Sequence, residues 1–377
     1  MIMKNTKTIK TILFVSLIAA MILPFSGMNF AEANQADNKD KSFDKVEKYD
    51  AKIKKQLAKS DEDRIHEKVK EDKKTSDLFK NKSVTSNGYS YFGNVYELEA
   101  NPDKKLDIVL HYTVDGEAVT VLIDGETEEV IQFQVHGVQT GAIPSNGLII
   151  SGYTGVAIKG LRMDYTAPSF TPITGTGWEA MLVNAAKNGS VNADACNPTK
   201  VPTTYWAQSG IQMAQGGMDL IWADTSSSCI QAFFTSNPTE VDAGDSIISQ
   251  ITVTDSTDQW IIYGYNISNG NFWTHTKTVS GSTDFKVDAT LTSVFFENPN
   301  HASQAWDPSY STNPKITKAY GQKVSNGVWD YWGGQTNWVT NCKPGGFNWS
   351  GYASGALNTV GVTYDVDKIQ QYCNVGP

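Results

Sequence analysis

The chain has 377 residues and carries 40 acidic side chains against 31 Lys and Arg, which gives a formal net charge of −9. This length exceeds one typical domain, so it predicts two folded units or one large unit with an appendage. The acidic balance argues against a nucleic-acid partner, because neutralising phosphates requires clustered Lys and Arg.

The first 33 residues have the features of a signal peptide. Three lysines precede an apolar run, TILFVSLIAAMILP, of about 14 residues, which is too short to span a bilayer of roughly 30 Å. A small-x-small site follows at Ala31-Glu32-Ala33, where we expect cleavage. No later stretch is apolar enough to cross a membrane, so the sequence predicts a secreted protein whose mature form has no membrane association.

Residues 34–155 predict a small α+β region. Its first part, 35–85, is dense in Lys, Asp and Glu and indicates a solvated helix or partial disorder. Three strand-like runs follow, separated by Asp115-Gly116 and Asp124-Gly125, and predict a small antiparallel sheet. The region resembles the propeptide of a secreted peptidase, which assists folding or masks the cleft. A second binding domain is an equal alternative.

From about residue 160 the chain loses charge and gains Trp, Tyr, Gly, Ser and Asn. Short strand-like runs recur with turn signals between them, whereas a helical signal is limited to WEAMLVNAAK and the chain end. This pattern predicts an all-β fold, an antiparallel β-sandwich of jelly-roll or concanavalin-like type, over 160–377. The predicted strands are TTYWAQSGIQM, MDLIWAD, CIQAFFTS, SIISQITVT, QWIIYGYNIS, FWTHTKTVS, ATLTSVFFE and NTVGVTYDV.

The four cysteines, Cys196, Cys229, Cys342 and Cys373, all lie in the C-terminal half. An even number in an exported chain favours disulfides over a metal site, and no CxxC spacing occurs. Four cysteines allow three pairings, of which neighbour pairing is one hypothesis. We therefore expect neither a metal ion nor a cofactor.

Common hydrolase signatures are missing. The sequence contains neither an HExxH zinc motif nor a G-x-S-x-G elbow. After residue 160, a Ser-His-Asp triad could use only His275 or His301. His275 stands in an alternating run and is predicted to be a surface strand residue, and His301 is predicted to lie in a loop.

Two consecutive predicted strands carry aromatic and polar side chains. Alternation in YWAQSGIQM places Trp206, Gln208 and Gln212 on one face. In the next strand, LIWAD, the same rule puts Trp222 and Asp224 together. We expect these two faces to line a single groove.

Glu297 ends the aromatic run SVFFE, where alternation places it on the face of Ser293 and Phe295. A charge at a strand end most commonly faces solvent. If the face is instead part of a concave sheet, partial desolvation raises the pKa of the carboxyl and suits it to proton transfer.

These residues resemble the glutamic peptidases of the eqolisin family, which are secreted, acid-active endopeptidases with a β-sandwich fold. Gln208-Ser209-Gly210-Ile211 matches the family's Gln-Thr-Gly-Val segment, and Trp222-Ala223-Asp224 approximates its Trp-x-Glu segment. SVFFENP is similar to its Trp-Ile-x-Glu-Asp strand. The chain departs from the pattern at Val294 and Thr225, where the family has tryptophan. The resemblance covers about a hundred residues.

The resemblance implies a division of labour between two side chains. Glu297 would act as general base towards the attacking water, and Gln208 would stabilise the oxyanion, a role in which one donor contributes roughly 3–4 kcal/mol. Trp206 and Trp222 would form groove walls and Asp224 a cleft carboxylate. The substrate would be a protein or peptide, and residues 34–155 an intramolecular inhibitor or folding aid of a zymogen.

Two other functions fit the sequence. A lectin-like protein would use Trp206, Trp222, Trp260 and Trp273 to stack on sugars, and would need no amide beside a carboxylate. A glycoside hydrolase would need Glu297 and Asp224 to face each other at about 5–5.5 or 6.5–9.5 Å. That reading fails if Asp224 lies behind the groove.

Overall fold

The computed structural model is built almost entirely from strands, and every described strand pairing is antiparallel. One short helix, α1 (Val95–Ala100), follows the first strand. The structure describes residues 84–114, 117–136, 148–153, 157–171, 178–188, 205–214, 217–226, 229–234, 241–254, 258–285, 292–298, 309–331, 337–340, 353–356 and 361–364.

The described strands are numbered in chain order. The first ten are β1 (Val84–Asn94), β2 (Asp107–Val114), β3 (Glu117–Ile123), β4 (Val130–His136), β5 (Leu148–Tyr153), β6 (Ile158–Thr166), β7 (Ser169–Thr171), β8 (Trp178–Ala186), β9 (Trp206–Ala214) and β10 (Gly217–Ser226). The others are β11 (Cys229–Phe234), β12 (Ser246–Thr254), β13 (Gln259–Asn266), β14 (Asn271–Thr278), β15 (Ser293–Asn298), β16 (Ser309–Thr312), β17 (Lys315–Lys323), β18 (Trp329–Tyr331), β19 (Asn337–Thr340), β20 (Ala353–Ala356) and β21 (Gly361–Tyr364).

Two sheets pack face to face, as the predicted β-sandwich requires. The larger has twelve strands in the order β20-β21-β17-β6-β12-β13-β14-β1-β2-β3-β4, with β18 paired to β17. The smaller has seven strands in the order β11-β10-β9-β8-β15-β5-β19, and β16 pairs with β7 separately. A single hydrophobic core, which includes Trp222, Trp260 and Trp273, lies between the two large sheets. The all-β prediction is therefore confirmed.

All eight strands predicted after residue 160 are present, as β9 to β15 and β21. The predicted helix WEAMLVNAAK is wrong, because residues 178–186 form β8 between β9 and β15. Its side chains from Glu179 to Ala186 are all buried. A short, nearly continuous apolar run has no period that separates a buried strand from a helix, and the neighbouring strands decide.

The predicted meander before residue 155 is also present as β2, β3 and β4. The Asp124 carboxylate accepts hydrogen bonds from the backbone N–H groups of Glu126 and Thr127, which shapes the turn before β4. β1 joins this meander to β14, and β5 lies between β15 and β19 in the smaller sheet. The boundary near residues 155–160 stays a prediction.

Several predicted features lie outside the described residues. The signal peptide and the charged segment precede residue 84, and His301 and three of the cysteines fall in undescribed stretches. Cys229 begins β11, but its side chain is not described. Disulfide formation and pairing stay predictions. Within the described ranges, no helix has the length and apolar character needed to cross a membrane.

Candidate active site on the outer face of the seven-stranded sheet

Each strand of the seven-stranded sheet has an inner face, turned to the larger sheet, and an outer face, turned away. Ser209 marks the inner face of β9, because its hydroxyl donates to the carbonyl oxygen of Tyr263 in the larger sheet, at 2.7 Å. Alternation then places Trp206, Gln208 and Gln212 on the outer face. The sequence therefore predicted the faces of β9 correctly.

Glu297 lies on the same outer face. Its strand neighbour Phe296 belongs to the core, as does Val294, so alternation turns Glu297 away from the larger sheet. Only 6% of its surface is exposed. Burial raises the pKa of the Glu297 carboxyl from its ordinary 4.5 to about 7, because the charged form loses its hydration. Of the two placements considered from sequence, the desolvated one is present.

Register places Gln212 in the same cross-strand row as Glu297. Glu297 pairs with Ala180 of β8, Ala180 pairs with Gln212 of β9, and Gln212 pairs with Asp219 of β10. Directly paired residues share a face, so these four residues form one row on the outer face, called here the Glu297 row. Two strand spacings separate the backbones of Glu297 and Gln212, about 10 Å. Between them in the row stands Ala180, whose side chain is a single methyl group.

Gln208 stands in a different row. It pairs with Asn184, which in turn pairs with Ser293. On β9, Gln208 is four residues from Gln212, so it lies about 13 Å along the strand direction from the Glu297 row. The structure brings Gln208 and Glu297 to the same face but does not place them opposite each other. Alternation within one strand cannot reveal this, since the offset depends on how β8 pairs with both neighbours.

Trp222 and Asp224 lie on the inner face of β10, and the expectation that they line a groove with Gln208 is corrected. Trp222 pairs with Ser209, whereas Gln208 pairs with Ala223. The cause is the tight connection between β9 and β10, which pairs Ala214 with Gly217 and so sets the register of the whole hairpin.

The inner face carries a buried polar cluster instead. Asp224 is 1% exposed and accepts hydrogen bonds from the Lys277 ammonium at 2.7 Å and the Tyr205 hydroxyl at 3.3 Å. The Trp222 ring stacks on the His275 imidazole, with centroids 4.1 Å apart. These contacts give Trp222 and Asp224 a structural role between the sheets.

His275 is fully buried, so the predicted surface position is wrong. The Ser90 hydroxyl lies 3.0 Å from its Nδ1, and Asp224 Oδ2 lies 3.9 Å from its Nε2. This is a Ser-His-Asp arrangement, but all three side chains are buried between the sheets, where no substrate carbonyl could reach the serine. We interpret the arrangement as a packing contact.

Trp206 is on the outer face with Gln208, at the end of β9 where it pairs with Ala186. It is 3% exposed, so only a small part of its indole is available to a ligand. Within the part of the chain that the structure describes, no three His, Cys, Asp or Glu side chains form a group that could hold a metal ion.

No family model matches the chain, and no curated protein matches it. Among solved structures, scytalido-glutamic peptidase with a peptide-based transition-state analogue is 15% identical, with a TM-score of 0.38 over 58% of this chain and 98% of that chain. SCP-B, an eqolisin family member in complex with the tripeptide Ala-Ile-His, is 13% identical, with a TM-score of 0.34 over 58% and 96%. The enzymatically active domain of bacteriophage CBA120 tailspike protein 2 is 11% identical, with a TM-score of 0.23 over 65% and 30%. Identities and TM-scores this low do not assign an activity to the chain.

Proposed function

We propose that the chain is a secreted endopeptidase of glutamic type, in which Glu297 is the general base. The observation that carries the proposal is the desolvated Glu297 carboxyl on the outer face, in one row with the amide of Gln212. A carboxylate with a pKa near 7 can take a proton from the attacking water and return it to the leaving amine. The substrate is a protein or peptide.

An amide of β9 stabilises the oxyanion of the tetrahedral intermediate. The sequence resemblance assigns this role to Gln208, whereas the Glu297 row favours Gln212. Both side chains are half-buried, so each keeps part of its surface available to a substrate. A single donor in such a position changes kcat by about 10²–10³.

The pH profile follows from the base role. Glu297 must be ionised to accept a proton, and its raised pKa means that the ionised fraction grows as the pH approaches about 7. We therefore expect kcat/KM to rise with pH up to about 7 and then level off. An acid optimum, which the resemblance implies, would require a second group or a bound substrate to lower this pKa.

Export and processing complete the proposal. Residues 1–33 act as the signal peptide and residues 34–155 as the pro-region of a zymogen. The four cysteines form two disulfides outside the cell.

The two alternatives lose support. Three of the four tryptophans offered for sugar stacking, Trp222, Trp260 and Trp273, are almost completely buried in the core. Asp224 lies on the inner face, behind the outer face that carries Glu297, so it cannot serve as the second carboxylate of a glycoside hydrolase.

The test is digestion of a denatured protein from pH 2 to 8 by enzyme purified from culture supernatant. Wild type should cleave, and Glu297→Gln should fold but not cleave. Glu129→Gln, the same change at an exposed carboxylate in the turn before β4, is the matched control and should cleave as wild type does. Full activity of Glu297→Gln would overturn the proposal. An inert wild type over the whole range, after the chain has been cut between β5 and β6, would point to binding and to a glycan screen.

A further inference from the structure

The N-terminal segment, defined here as β1 to β5 (residues 84–153), contributes a strand to the interior of each large sheet. β1 pairs with β14 through six residue pairs, from Tyr89 opposite Thr276 to Asn94 opposite Asn271. β5 pairs with β15 through five residue pairs and with β19 on its other side. Strands β14 and β15 therefore each meet this segment along most of one edge.

Side chains add to the backbone pairing. Phe92, Val109 and Leu122 of the segment belong to the hydrophobic core between the sheets. The Ser90 hydroxyl bonds Nδ1 of His275 at 3.0 Å in a fully buried position. The segment thus contributes apolar surface and a buried polar contact to the core, rather than lying over it.

The end of β1 is also fixed to the turn that precedes β14. The Val95 N–H donates to the carbonyl oxygen of Gly270 at 2.8 Å, and the Asn94 amide donates to the side chain of Asn271 at 2.7 Å. The Tyr96 hydroxyl donates to the Ile267 carbonyl at 2.8 Å. These bonds hold α1 against the β13–β14 hairpin.

β5 lies directly beside the candidate catalytic strand. Ile149 of β5 is paired with Glu297 of β15, on the side opposite to Ala180 of β8. Without β5, β15 would become an edge strand with unpaired backbone groups, and water would reach the backbone next to Glu297. The segment therefore contributes to the desolvation of Glu297.

We propose that the edges of β14 and β15 are a binding surface for the chain's own N-terminal segment, and that this segment stays bound after the connection to β6 is cut. β5 ends at Tyr153 in the smaller sheet and β6 begins at Ile158 in the larger, so a cut between them separates the chain without breaking a described strand. The processed protein is then a two-chain molecule held by strand addition. The inference does not depend on peptidase activity.

The experiment places a site for a specific protease between Tyr153 and Ile158 of the full chain, in the Glu297→Gln background to prevent self-digestion. After the cut, gel filtration and native mass spectrometry should show one species that contains both fragments. The two fragments should separate only in denaturant. Two separate peaks, with the C-terminal fragment still folded by circular dichroism, would overturn the proposal. Aggregation of the C-terminal fragment after loss of the N-terminal one would also overturn it, because the fragments would not have stayed together.

A second measurement tests the described contact directly. Ser90→Ala in the cut protein removes the hydroxyl that bonds His275, and we expect the dissociation constant of the two fragments to rise about tenfold. Ile131→Ala is the matched control, because Ile131 is exposed on β4 of the same segment. Equal dissociation constants for both variants would show that the His275 contact does not hold the segment.

Discussion

Glu297 and Gln212 lie in one cross-strand row, two strands apart, with only the small side chain of Ala180 between them. Gln208, which the sequence resemblance favours as the amide donor, lies four residues away on β9, in a different row that contains Asn184 and Ser293. Both glutamines belong to the same strand and the same face, so experiment must decide which of them supplies the amide that stabilises the oxyanion.

The first prediction separates the two glutamines. If the Glu297 row is the catalytic row, Gln212→Ala lowers kcat by about 10²–10³ with little change in KM, because an oxyanion donor acts mainly in the transition state. Gln208→Ala should then change KM more than kcat. Steady-state kinetics on one peptide substrate measures both. A larger loss of kcat for Gln208→Ala would instead support the assignment made from the sequence motif.

The second prediction concerns stability and pH. The pKa of Glu297 in the folded state, about 7, is above its ordinary value of 4.5, so between these values the folded state binds more protons than the unfolded state. Protonation of Glu297 therefore stabilises the fold below about pH 4.5, and this contribution to the free energy of unfolding is lost as the pH rises to about 7. Glu297→Gln cannot ionise and avoids this loss.

Urea unfolding at pH 4 and pH 8 checks it. The free energy of unfolding of Glu297→Gln relative to wild type should increase by about 3 kcal/mol between the two pH values. Glu129→Gln, at an exposed carboxylate, serves as the control and should show a much smaller change. A constant difference between Glu297→Gln and wild type would mean that Glu297 titrates normally.

The residues that the sequence placed correctly are those whose position depends on one strand only. Alternation set the faces of Gln208 and Glu297, because successive side chains of a strand point to opposite sides whatever the strand pairs with. The predicted turn at Asp124 is equally local, since the Asp124 carboxylate bonds N–H groups two and three residues later.

Properties that depend on pairing between strands were not predictable in the same way. A shift of one residue in the β9–β10 register would move Trp222 and Asp224 to the outer face, and the sequence alone does not fix that register. β8 was predicted as a helix for a related reason. Its side chains from Glu179 to Ala186 are buried on both faces, so the run has no alternating pattern, and only its pairing with β9 and β15 identifies it as a strand.

The third prediction uses Gly210, whose absence of a side chain lets β9 pack against β8. A Cβ at this position would lie 1.9 Å from the carbonyl oxygen of Met181 and 2.9 Å from the Cα of Leu182. Backbone atoms cannot move aside as a side chain can, so Gly210→Ala should lower the free energy of unfolding by about 3 kcal/mol. Gly244→Ala is the control, because a Cβ at this position would meet no atom within 4 Å. The only cost of that substitution is the backbone φ of +90°. Equal urea midpoints for the two variants would contradict the tight β8–β9 packing.

The fourth prediction concerns the cysteines. If the four form two disulfides, reduction should lower the free energy of unfolding, by about 2–4 kcal/mol for each bridge. Thermal unfolding with and without reductant, together with thiol counting by mass spectrometry, measures this. Four free thiols and an unchanged melting temperature would remove the disulfide hypothesis.

The last prediction distinguishes a structural carboxylate from one on the candidate active face. Asp224 is buried on the inner face and accepts hydrogen bonds from Lys277 and Tyr205. Asp224→Asn weakens these charge-assisted bonds, so the free energy of unfolding should fall by about 2 kcal/mol. Because no part of Asp224 belongs to the outer face, KM and kcat should stay within about twofold of wild type at temperatures where the variant is folded.

Asp219→Asn is the matched change on the outer face, since Asp219 is half-buried there and pairs with Gln212 in the Glu297 row. We expect it to alter KM or kcat by more than Asp224→Asn does, with a smaller loss of stability. Unfolding curves and steady-state kinetics of both variants decide the matter together. If Asp224→Asn raises KM severalfold while its stability is unchanged, Asp224 contacts substrate, and the register of β9 with β10 must differ from the one described here.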